Sequence, residues 1–145
     1  MKTKIIISIC LLLTGLSLRA VDKPTQGLWT TQKITIEKNV DGNIRTAEFD
    51  SVDEVLSHIP CPQEWEIYEK KITLKYSDGR KETGKYVVEG NNLKIMSVLA
   101  VKSYRYEIKG DTLILITAYD YINNMPGGSS ERIKENRTIV LKKQK

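Results

Sequence analysis

Lys102-Ser103-Tyr104-Arg105-Tyr106-Glu107-Ile108-Lys109-Gly110-Asp111-Thr112-Leu113-Ile114-Leu115-Ile116-Thr117-Ala118-Tyr119-Asp120-Tyr121 reads as two β-strands joined by a tight turn. Tyr104 and Tyr106 stand two apart, which puts them on one face of an extended chain. Lys109-Gly110-Asp111-Thr112 supplies the turn, since glycine accepts the positive φ that a short hairpin needs. Leu113 to Tyr121 then continues in β-branched, leucine and tyrosine residues, the composition of a strand with a buried face.

The same grammar extends outward in both directions. Glu82 to Val88 and Leu93 to Val98 flank the turn Glu89-Gly90-Asn91-Asn92. Ile72-Thr73-Leu74-Lys75-Tyr76 is apolar at every second residue and ends at Ser77-Asp78-Gly79-Arg80, a hairpin signal. Trp65 to Tyr68 is a further short strand. Leu28 to Glu37, anchored by Trp29, Ile34 and Ile36, ends at Asn39-Val40-Asp41-Gly42, and Asn43 to Phe49 returns as a weaker strand. Asn123 to Ser130, with Met125-Pro126-Gly127-Gly128, reads as a flexible loop, and Ile133 to Leu141 closes the chain. One segment breaks the pattern. Ser51 and Glu54 form a capping box, Val52, Val55, Leu56 and Ile59 share a helical face, and Pro60-Cys61-Pro62 stops it. The expected fold is all-β: an antiparallel up-and-down barrel of about eight to ten strands with one short helix. Closure removes the edges that otherwise invite aggregation.

The first twenty residues read as a signal peptide. Lys2 and Lys4 form a basic start, Ile5 to Leu13 an apolar run, and Ala20 a cleavage position. The run is shorter than the ~20 residues that span a bilayer, so no transmembrane segment is expected in the mature chain. Cys10 lies inside the apolar run and follows Ile9, which argues against lipid anchoring. The organisation read here is a signal peptide over 1–20, a flexible lead-in over 21–26 and one domain over 27–145. Export places the mature chain in the periplasm or outside the cell.

Charge follows from this division. The chain carries +5, and Lys2, Lys4 and Arg19 account for three of those units, leaving +2 for the rest. The remaining charges alternate in sign, as in Glu64, Glu66, Glu69, Lys70 and Lys71. That is an ordinary solvated surface, with no concentrated basic face for nucleic acid.

Catalytic groups are scarce. His58 is the single histidine, and with Cys10 removed Cys61 is the single cysteine. A zinc site needs three or four ligands, so no metal and no cofactor is expected. His58 and Cys61 stand three apart between prolines, with no third group to orient them, and no paired-carboxylate or phosphate-loop motif appears. The sequence points away from an enzyme. Cys61 remained a candidate for an intermolecular disulfide in an oxidising compartment.

Three stretches carry a family likeness. Gly27-Leu28-Trp29 is similar to the Gly-x-Trp signature that opens lipocalins. Gly84 to Ile95 and Tyr104 to Leu113 resemble two successive hairpins of secreted lipocalin-like domain proteins of Gram-negative bacteria, within the calycin group. The family's middle signature, Thr-Asp-Tyr, is only approximated by Thr117-Ala118-Tyr119-Asp120-Tyr121. The resemblance implies a barrel of about eight strands around a small cavity. It also implies a plug in which Arg137 packs over Trp29 beside Gly27, through a cation–π contact.

Trp65, Tyr68, Tyr76, Tyr86, Tyr104, Tyr106, Tyr119 and Tyr121 make a rich aromatic set for a small domain. Trp65, Tyr104 and Tyr106 are the candidate cavity-lining residues. Two functions fit. One is a carrier whose barrel holds a small apolar or amphipathic ligand. The other is a filled barrel that binds an envelope protein through the segments 51–62 and 123–132.

Overall fold

The computed structural model describes residues 24–50 and 61–145. Nine strands follow one another: β1 (Gly27–Val40), β2 (Asn43–Phe49), β3 (Glu64–Tyr68), β4 (Lys71–Lys75), β5 (Lys81–Glu89), β6 (Asn92–Ser97), β7 (Val101–Lys109), β8 (Thr112–Asn124) and β9 (Ser130–Lys143). All pairings are antiparallel, and β9 returns to β1, closing β1 and β3 to β9 into an eight-stranded barrel. β2 is the extra strand, hydrogen-bonded to β1 outside the ring. No helix occurs among the described residues. The helix expected over 51–59 and the signal peptide over 1–20 lie outside them.

Local chemistry explains most joints. Asp41 and Gly42 both have positive φ, 50° and 90°, as the primed hairpin turn between β1 and β2 demands. Two expectations need correction. The loop over 123–132 is shorter than expected: β8 and β9 pair as far as Asn124 and Ser130, leaving residues 125–129 as the turn, which the Met125 N–H closes on the Ser129 carbonyl at 2.8 Å. The end of the lead-in is tied to the barrel. Thr25 is fully buried, and its carbonyl accepts a hydrogen bond from Trp29 Nε1 at 2.8 Å.

A bulge in β1 sets which side chains face inward. Thr31 is opposite Leu141 and Lys33 is opposite Val140, so Gln32 is extra. The shift lets Trp29 and Thr31 below the bulge and Ile34 and Ile36 above it share the inner face. Without it one of the two pairs would point to solvent.

The ladders differ in length, and this shapes the molecule. β1 pairs with β3 only over Gly27 to Thr30; its upper half pairs with β2 instead. The β7–β8 ladder ends at Arg105 and Ile116, whereas β8 and β9 stay paired for eight further residues of β8. The barrel is therefore short. A four-stranded blade, β2–β1–β9–β8, stands above it, and β7 and β8 part at the rim. The lower barrel is the core: Trp29, Trp65, Ile67, Ile72, Leu93, Leu113, Leu115 and Leu141 are all fully buried.

Candidate functional site

The predicted cavity liners are packed together. Trp65 on β3 is fully buried and Tyr104 on β7 nearly so, and their rings meet edge to face with centroids 5.9 Å apart. Trp65 Nε1 donates to Thr31 Oγ1 at 3.1 Å and to the Pro62 carbonyl at 3.3 Å. Tyr106 lies lower, half-buried against the core, with its hydroxyl donating to the Gly90 carbonyl at 3.1 Å. Trp65 and Tyr104 are thus in contact with each other, while Tyr106 stands apart from the pair. An eight-stranded barrel is just wide enough for side chains to fill, and two tryptophans with several isoleucines and leucines are buried inside this one.

The expected plug is rearranged. Lys143, not Arg137, stands over Trp29, its Nζ 5.4 Å from the ring centroid. Register is the reason: Trp29 is opposite Lys143, while Arg137 is opposite Ile36, well up the blade. Arg137 instead stacks on Tyr119 at 4.5 Å. Gly27, with φ 136°, keeps its place at the lower end against the Lys143 side chain.

Polar chemistry gathers at the rim, above Trp65. Glu82 points inward from β5 and accepts from Tyr76 at 2.9 Å, from Lys102 at 2.9 Å and from Ser97. Burial pushes its pKa up, but the Lys102, Ser97 and Tyr76 donors outweigh burial and hold the carboxyl below the usual range. Burial pushes Tyr76 up, with its bond to Glu82 adding to this. These groups border a recess of about 330 Å³ that also touches Leu99.

A second cluster lies on the inner face of the blade. Glu135 is 1% exposed, yet it is charged and matched. It accepts from Arg137 and from the Tyr121 hydroxyl at 3.1 Å, with Lys38 Nζ at 3.5 Å. Burial raises its pKa, and Arg137, Tyr121 and Lys38 together bring it below the usual value. Two residues lie within electrostatic reach of both clusters. Cys61 feels the charges of both Arg137 and Lys102, and Tyr104 feels Tyr119, Tyr76 and Glu82.

Sequence reasoning passed over Glu82, Lys102 and Glu135. The signal was available in strand parity: Glu82 shares its face with Tyr86, and Glu135 with Ile133, Ile139 and Leu141. Cys61 is buried at the rim, and burial pushes its thiol up to about 12. His58 lies outside the described residues. Among the described residues no group of His, Cys, Asp and Glu is placed to hold a metal ion, and no helix is long and apolar enough to cross a membrane. No family model, no curated protein and no solved structure matches this chain.

Proposed function

We propose that this protein is an exported, lipocalin-like binding module without catalytic activity, whose barrel is filled and whose partner is engaged at the rim. The observation that carries this is the burial of Trp65 against Tyr104: two of the side chains expected to line a cavity belong to the packed core cluster. Binding then falls to the rim, where two matched carboxylates, Glu82 and Glu135, sit among tyrosines and cations. Such groups exchange one hydrogen-bond partner for another at little net cost, which suits recognition of a polar protein segment. The export half rests on Lys2, Lys4, Ile5 to Leu13 and Ala20, and places the partner in the cell envelope.

The 330 Å³ recess beside Tyr76 and Glu82 favours a second form of the same reading, in which a small amphipathic molecule sits at the rim rather than inside the barrel. One experiment separates these from an open carrier. Fatty acids and aromatic amphiphiles are titrated while tryptophan fluorescence is followed. A filled barrel leaves the emission of Trp29 and Trp65 unchanged. Saturable one-to-one quenching of both would establish the open carrier. A photo-crosslinker at Tyr121 then tests the rim, with a discrete envelope-protein adduct expected there and none from the same group at Lys109.

A further inference from the structure

We propose that the β6–β7 loop and the lysine-bearing outer face of β4, β5 and β6 dock the protein onto an anionic phospholipid bilayer. This goes beyond rim binding: the loop borders the rim recess at Leu99, but the lysine face lies on the outside of the barrel.

The loop presents Val98, Leu99, Ala100 and Val101 to solvent. Val98 is 99% exposed and Leu99 82%. Four consecutive exposed apolar residues are disfavoured on a soluble surface unless something receives them. The turns at the opposite end, Glu69-Lys70, Gly90-Asn91 and Gly110-Asp111, are polar. The loop's backbone is also prepared to leave water. Ser97 N–H donates to the Ala100 carbonyl at 3.0 Å, and the Leu99 and Ala100 N–H groups donate to Ser97 Oγ at 3.3 and 3.2 Å. Unsatisfied amides are what bar irregular backbone from lipid, and here these donors are already paired.

The cations come from the strand period. Charges that alternate along the chain are sorted by strand parity, so Lys71, Lys81, Lys85 and Lys94 all point outward. None of the four has an ion-pair partner among the described residues. Lys71 is directly opposite Lys85, Lys85 opposite Met96, and Met96 opposite Val101. Like charges placed directly opposite cost stability, and a negative surface relieves that cost. Lys71, Lys85, Tyr68, Met96 and Val98 wall an open groove of about 1030 Å³ that runs from the lysines to the loop. A convex apolar tip continuous with unpaired cations matches the headgroup–acyl boundary of an anionic membrane. A second copy of the chain would bring the same cations face to face, so self-association does not fit.

The test places a reporter in the loop of the full chain, as Leu99→Trp. Phosphatidylcholine vesicles are used with and without phosphatidylglycerol, including lipids brominated on the acyl chains. With the anionic lipid, the emission should shift to the blue and be quenched by bromine; without it, neither should occur. Trp29 and Trp65 are fully buried and give a constant background. Lys71→Glu with Lys85→Glu changes the charge by four units and should lower vesicle affinity by about six-hundredfold, at roughly fivefold per unit. If that pair unfolds the barrel by circular dichroism, salt carries the same test on the parent reporter, and binding insensitive to salt overturns the proposal. A reporter that stays solvent-like on anionic vesicles also overturns it. That outcome includes attachment through Ile5 to Leu13 alone, and a loop that receives only protein.

Discussion

Trp65 and Tyr104 meet edge to face, with ring centroids 5.9 Å apart and planes at 78°. Both rings belong to the buried core cluster. Tyr104→Ala should cost about 3 kcal/mol or more, because it removes a buried aromatic and leaves a cavity. Urea unfolding followed by circular dichroism measures this. A loss under about 1 kcal/mol would mean that the ring lines open space, and the filled-barrel reading would fail with it.

Gly84 is required by space rather than by conformation. A Cβ there would lie 2.5 Å from the Met96 carbonyl oxygen, a backbone atom that cannot swing away. Gly84→Ala should force β5 and β6 apart and cost on the order of 2 kcal/mol. The comparison is Gly79→Ala, whose Cβ meets nothing within 4 Å and which pays only for a positive φ of 86°. The larger drop in melting temperature is expected at Gly84.

These packing facts show where the sequence was legible. Hairpins marked by Asp-Gly or Gly-Asn came through because their turn chemistry is local: Gly42, Gly79, Gly90 and Gly110 all sit at turns with positive φ. The turn between β3 and β4 carries Glu69 at φ 49° and announces itself only by a break in alternation. The extra residue at Gln32 is invisible locally, and it decides that Ile34 faces inward. Arg137 was placed over Trp29 by resemblance. The β1–β9 register, a pairing across the whole chain, puts it opposite Ile36 instead. The inward parity of Trp65 and Tyr104 was readable. That they touch each other depends on how β3 and β7 face one another across the barrel, which no local signal gives.

Cys61 is buried at 4% exposure, and burial raises its thiol to about 12. The intermolecular disulfide considered from sequence requires an exposed thiolate, so the folded protein should run as a monomer without reductant. Native Cys61 should resist thiol reagents at pH 8 and react once urea is added. The pH dependence follows. An unfolded thiol loses its proton near 9 while the folded one keeps it, so stability should fall as pH rises from about 9 toward 12. Cys61→Ala should flatten part of that decline. Tyr104, Tyr76 and Tyr121, also raised by burial, add to the rest.

Glu135 and Arg137 test the rim from the acid side. The Glu135 carboxylate is almost fully enclosed, so removing its main cation strands a buried charge. Arg137→Ala should cost about 3–5 kcal/mol, with the loss of the Tyr119 stack included. Lys38→Ala should cost under about 1 kcal/mol, since that ammonium is largely in water. Glu135→Gln together with Arg137→Ala should recover part of the loss, because the stranded charge is gone. Glu82 and Glu135 are both held below the ordinary carboxylate value of 4.5. Their contribution is therefore complete above that pH and drains away as pH falls through their folded values. Denaturant midpoints measured downward from pH 6 should show this decline in the parent protein. The slope should be shallower in Glu135→Gln and shallower again once Glu82→Gln is added. If both variants kept the parent slope, the carboxylates would not be the matched charges that the rim geometry makes them.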